Sequence, residues 1–312
     1  MGALSSLEVG LLVIAIAGYF AATLGLWAGL LLKSADASSA RAVVWARGTL
    51  LGAVVLHALA LVGQGSTLLS VRAGVVGLFG WVIAVGALLL PLAWRARPEP
   101  HLQLAPDLAL SGVGAQGGSG GAGMRPTRSL PGVSVGAFGV PIALVAAVYS
   151  LLVTGLHQTA TDAHQLEVPF WVLHVVTIVG AYVALTWAFA ASLVYLLEEW
   201  LLKHKRLPAL WEKLPPLRVA DEWIYRATLF GAGLLTLGIA TGAAWYAARA
   251  PRIAPLHDPK VIVSLLMWGV FGMALGARWL GWRGRRLHFV VVCGFALLTI
   301  SFLGTPHWLN GR

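Results

Sequence analysis

Charge is what this chain has least of. Only 11% of its residues are Asp, Glu, Lys or Arg, against about a quarter in soluble domains. No polar segment has the composition of a separate soluble domain. Cysteine is nearly missing as well: Cys293 stands alone inside an apolar run, which excludes an intrachain disulfide or a thiolate-bound metal cluster. It reads as a small buried apolar residue. No Ser/His/Asp set and no pair of carboxylates falls within an apolar run, and there is no internal repeat. What is abundant is hydrophobicity, 58% of the residues with a mean hydropathy of +0.81. Apolar runs recur from end to end, so the composition describes a polytopic membrane protein and excludes a singly anchored one.

The hydropathy pattern predicts an all-α bundle of about eight transmembrane helices. They fall near Leu7–Leu32, Gly48–Gly63, Ala73–Trp94, Phe138–Leu156, Val168–Leu197, Ala227–Ala248, Val261–Leu280 and Leu287–Leu303. The first run, Val9 to Leu32, is span-length and lacks the basic flank of a cleavable signal, so it reads as a retained helix. Loops on one side carry all but five of the 22 basic residues, the five being Arg72, Arg249, Arg252, Lys260 and Arg312. Excess Lys and Arg marks the cytoplasmic side, which places both termini outside. The net charge of +10 is thereby explained without nucleic acid as a partner; the partner is the lipid bilayer.

Residues 96–136 are rich in Gly, Ser and Pro and read as a flexible cytoplasmic linker. That linker divides an N-terminal three-helix part (1–95) from a five-helix part (137–312). The connection after the fifth span has Trp200, Leu201, Trp211, Leu214 and Trp223 among charges, with breaks at Pro208 and Pro215–Pro216. This spacing suggests an amphipathic extension lying in the membrane interface.

The nine histidines carry the plausible chemistry. His57 falls near the middle of the second span, where an ionisable side chain is costly and by default a functional candidate. His174 opens the fifth span on the outer side, beside Trp171. His257 sits next to Asp258 in the outer loop before the seventh span, and His307 follows the last span, also outside. His157 and His164 lie in another outer loop. Three helix ends thus bring imidazoles to one membrane face. Neutral imidazole is a common axial ligand of haem iron when its other ring nitrogen is held by a carboxylate or carbonyl, and tryptophans suit the walls of such a site. His101, His204 and His288 read as surface residues, and Asp258–Pro259 also reads as an N-cap and first-turn proline.

The stretch LHVVTIVGAYVALTWAFAASLVYLLEEWLLKHK, followed by LLTLGIATGAAW, HDPKVIVSLLMW and GWRGRRLHFVVVCGFALLTISFLG, resembles the cytochrome c assembly family of CcsA/HemX type. The likeness covers about Val168 to Gly304. It implies an eight-span bundle that carries haem, with His174 as an axial ligand, His57 as the early-span histidine and His307 as the external histidine after the last span. The iron would then be held by His174 and His307 or His257, with Asp258 orienting an imidazole, Trp171 walling the site, and Lys260 or Arg252 pairing with a propionate. His257 stands where the family's Trp-Asp-Pro-Lys motif has tryptophan, and Ala274 to Arg278 lack the histidine expected before the arginine knot. Partners implied are a second assembly subunit and apocytochrome c, in the inner (plasma) membrane; whether the chain is an enzyme stays open, with a non-enzymatic role favoured and a place as a component of a haem–cytochrome c ligation system as the alternative. Two rival readings are a HemX-like membrane regulator or scaffold of a haem-biosynthesis enzyme acting through Glu198–Arg226, and a small-solute transporter.

Overall fold

A bilayer interior offers the backbone no hydrogen-bond partners, so a spanning segment must close its bonds on itself. The computed structural model describes residues 6–32, 37–65, 68, 72–95, 131–155, 169–204, 210, 213–249 and 259–304. It shows α1 (Ser6–Leu31), α2 (Ala37–Gln64), α3 (Arg72–Arg95), α4 (Pro131–Gly155), α5 (Pro169–His204), α6 (Leu217–Arg249), α7 (Pro259–Trp279) and α8 (Arg285–Thr299). A π-helical turn, Ile300–Gly304, continues the last. All eight contain a stretch long and apolar enough to cross a membrane, and there is no strand among the described residues. The protein is an all-α polytopic membrane protein.

Several helices outrun their apolar windows. With 28 residues α2 is about 42 Å long, and its first turns carry Arg41 and Arg47. His57 therefore lies in the C-terminal half of its helix, about halfway between its middle and its end. α4 begins at Pro131, inside the stretch expected to be linker. Proline at a first helical position has a preset φ and needs no N–H, and Val133, Ser134, Val135 and Ala137 behind it are buried. A Gly/Ser-rich composition concealed the start of a packed helix.

By packing, α1 lies on α2 and α4, and α3 on α4 and α2. A second set joins α5 to α6 and α8, and α7 to α6 and α8; α4 and α3 link the two sets through α5. The α1–α2 seam depends on missing side chains. A Cβ on Gly18 would sit 2.9 Å from that of Ala53, and one on Gly25 would sit 2.8 Å from that of Ala46. In lipid, where hydrophobicity drives no association, such close backbone approach supplies the dispersion contact that holds helices together.

The connection between α5 and α6 follows the interfacial helix the sequence suggests only in part: Trp200 is exposed, and Trp211 lies outside the described residues. Leu201, Leu210 and Leu214 are buried in protein, not laid on the membrane surface. Lys213 reaches back to the end of α1, where its Nζ donates to the carbonyls of Gly29 (2.7 Å) and Leu30 (3.3 Å), to that of Leu32, and to Ser39 Oγ (3.1 Å). An ammonium at a helix C-terminus satisfies orphan carbonyls and meets the negative end of the dipole. Cys293 is exposed on α8, contrary to the buried placement its apolar neighbours suggest.

Candidate functional site

His174 sits in the second turn of α5, half-buried against α6. Its Nδ1 lies 2.7 Å from the carbonyl oxygen of Gly238. A carbonyl only accepts, so Nδ1 carries the proton, and in the neutral ring Nε2 then carries the lone pair. The ring packs closely against α6: a Cβ on Gly242 would fall 2.7 Å from His174 Cε1 and 2.8 Å from Nδ1. Thr241 Oγ1 donates to the same Gly238 carbonyl at 3.0 Å, and Thr177 Oγ1 bonds the carbonyls of Leu173 and His174. The backbone on both sides of the imidazole is therefore anchored. Lys260, in the first turn of α7, is close enough for its charge to act on the ring. Helices α5 and α6 thus hold one imidazole in a fixed tautomer, and Lys260 at the start of α7 adds positive charge to its surroundings. Further along, Tyr182 OH of α5 and Ser264 Oγ of α7 each lie 3.3 Å from Ser301 Oγ in the π-helical turn after α8.

His57 occupies a different place. It is 0% exposed among α1, α2, α3 and α4. Its Nδ1 is 3.0 Å from Tyr19 OH, and its Nε2 has no hydrogen-bond partner among the described residues. The space opposite Nε2 is closed. A methyl on Gly77 would already meet Ser150 Oγ at 3.1 Å and Nε2 at 3.5 Å, so a macrocycle does not fit there in this structure. His57 and His174 share no partner among the described contacts. His257, Asp258 and His307 lie outside the described residues, as does the side chain of Trp171.

A cavity of about 650 Å³ lies between α3, α4, α5 and α6, lined by apolar side chains that include Leu78, Val176, Val183, Trp187 and Phe230. Val176 and Val183 stand roughly 180–200° around α5 from His174, at about 100° per residue. The cavity and the imidazole are thus on opposite faces of one helix.

At the arginine-rich end the structure assembles a cluster that the sequence reading missed. Arg278 Nη1 bonds Asp221 Oδ2 at 2.5 Å, and its Nη2 lies 3.7 Å from Glu222 Oε2. His288, read as a surface residue, is 0% exposed. Its Nε2 is 3.3 Å from Asp221 Oδ1 without hydrogen-bond geometry, and its ring packs on Tyr195 with centroids 3.9 Å apart. The signal was present in the α8 register: Leu287, His288, Val291, Gly294 and Leu298 share the inward face. His204, by contrast, is exposed as expected, its Nδ1 bonded to the Trp200 carbonyl.

Residues 124–311 match the sequence profile of the family described as Cytochrome C assembly protein, which takes in α4 to α8. The chain belongs to that family. Among its curated relatives, the cytochrome c biogenesis protein CcsA of Heterosigma akashiwo is 39% identical over 85 residues, 27% of this chain and 26% of the relative. CcsA of Marchantia polymorpha is 36% identical over a stretch of the same length. The inner membrane protein YpjD of Escherichia coli K12 is 26% identical over 167 residues, 53% of this chain and 62% of that protein. The matched stretch thus spans about a quarter of the CcsA proteins. No solved structure matches. As a family member the protein pairs a matched five-helix region with helices α1–α3, and α4, the first helix of the matched region, packs on α1 and α3.

Proposed function

We propose that this cytochrome c assembly family protein handles haem at the outer face of the inner membrane, with His174 as an axial ligand. The observation that carries the reading is the Nδ1 contact to the Gly238 carbonyl. It fixes the ring and leaves the lone pair on Nε2, the arrangement in which histidine binds a metal. Lys260 supplies the charge for a haem propionate. The second axial position falls to His307 or His257, with Asp258 as the group that orients an imidazole and Trp171 as a wall. We place His57 outside this site and give it a packing role. Both termini are outside by the distribution of basic residues. The likeness to proteins named for cytochrome c biogenesis extends the proposal to the partners, a second assembly membrane subunit and apocytochrome c. Thioether formation belongs to haem and that apoprotein, so this chain presents haem and is not itself the catalyst. A regulatory role through Glu198–Arg226 is disfavoured, because Leu201, Leu210 and Leu214 of that connection are buried.

The test is the absorption spectrum of protein purified in detergent from haem-replete membranes. A six-coordinate haem spectrum that His174→Ala abolishes, while His157→Ala and His164→Ala retain it, is the expected result. Equal loss in all three variants, or no haem in the parent protein, refutes it.

A further inference from the structure

The turn between α7 and α8 gathers Trp279, Leu280, Trp282, Arg283, Arg285 and Arg286 into one short stretch. Its shape is fixed: Gly281 and Gly284 have φ of 85° and 83°, values that favour glycine. Gly281 N–H bonds Arg278 O at 3.0 Å, and Trp282 N–H bonds Ala277 O at 2.9 Å. Trp279 is 77% exposed, Leu280 81% and Trp282 57%. In a membrane protein such side chains enter the bilayer at its interfacial depth.

The three arginines beside them are also exposed and have no carboxylate partner among the described residues. Three other cations at this end are matched, Arg278 with Asp221, Arg226 with Glu222 and Lys203 with Glu199, whereas the arginines of the turn are unmatched and stand beside exposed tryptophans. Two of the unmatched arginines, Arg285 and Arg286, open α8, where the helix dipole is positive and repels them. Arg285 leans over the ring of Phe289, 5.2 Å from its centroid, which holds one guanidinium against an exposed apolar surface. Unmatched positive charge on a backbone-fixed turn beside exposed, bilayer-seeking aromatics calls for an anion that brings its own apolar body.

We infer that the α7–α8 turn is a binding site for an anionic glycerophospholipid. Arg283, Arg285 and Arg286 hold the phosphate, and the acyl chains run along Trp279, Leu280, Trp282 and Phe289. Charge complementarity chooses this occupant over a zwitterionic lipid, and the exposed tryptophans choose it over free phosphate. The site is independent of the haem proposal and stands on other residues.

The experiment titrates detergent-purified protein with phosphatidylglycerol, phosphatidylcholine and inorganic phosphate, reading thermal stabilisation and bound lipid by native mass spectrometry. Phosphatidylglycerol binds the parent protein; phosphatidylcholine and phosphate bind far more weakly. Each single Arg→Gln change at 283, 285 or 286 weakens it roughly fivefold, and the triple change about 100-fold. A control triple with the same change in charge, Arg41→Gln, Arg47→Gln and Arg218→Gln, stays within threefold of the parent. The inference is overturned if phosphatidylglycerol binds no better than either comparator, or if both triple variants lose affinity equally, since the effect is then one of total charge.

Discussion

Replacing Lys213 by Met tests the tie between the family-matched region and the first two helices. The Lys213 ammonium has three N–H donors and four oxygens around it, belonging to Gly29, Leu30, Leu32 and Ser39. A hydrogen bond to a charged group contributes about 1.5–3 kcal/mol when buried. Part of this cage is open to solvent, and the contacts share one nitrogen, so a total of about 2–3 kcal/mol is the reasonable magnitude. For a protein of this size that corresponds to a fall in Tm of roughly 5 °C or more in detergent. Met keeps the stem, so the loss reports the ammonium. Lys213→Arg is the sharper variant: it restores the charge, but a planar guanidinium cannot converge on oxygens arranged around one nitrogen. Thermal unfolding should therefore rank the parent well above Arg, with Met lowest. An unchanged Tm in Lys213→Met, or full rescue by Arg, would show that the residue contributes only its positive charge.

Three further outcomes follow from the sites. Gly242→Ala places a Cβ where the His174 ring lies, so the haem spectrum should change although no ligand is removed; an unchanged spectrum would detach that ring from the iron. Tyr19→Phe strands a second His57 nitrogen and should cost about 1–3 kcal/mol, whereas adding His57→Leu should recover part of it and leave haem untouched. Additive losses in that cycle would mean that the two side chains do not interact. Asp221→Asn removes the nearer charge partner of the largely buried Arg278 and should destabilise by about 3 kcal/mol, checked by unfolding against Glu222→Gln, whose more distant contact predicts a smaller effect.

The eight spans were legible because hydrocarbon imposes one rule on every segment, and runs such as Val168–Leu197 follow it without ambiguity. Helix ends were not, since charged turns of α2, α5 and α6 extend beyond the apolar window and are held by tertiary packing. His174 could be selected from its place at a helix start, yet its tautomer depends on Gly238, 64 residues away, and on a glycine surface that no local pattern reveals. His288 was misread because the adjacent arginines suggested solvent, whereas its helical phase turns it inward onto Tyr195 and Asp221. Lys213 was counted only as positive charge; its role as a cap for α1 needs the chain to fold back across almost two hundred residues.

The most direct test of the haem proposal is chemical rescue at His174. Purified His174→Gly protein, reconstituted with haem and titrated with free imidazole, should begin without the six-coordinate spectrum and regain it as imidazole fills the vacated place beside Gly238 and Gly242. If His174→Gly retains the parent spectrum before imidazole is added, the iron is held elsewhere and the assignment of His174 fails.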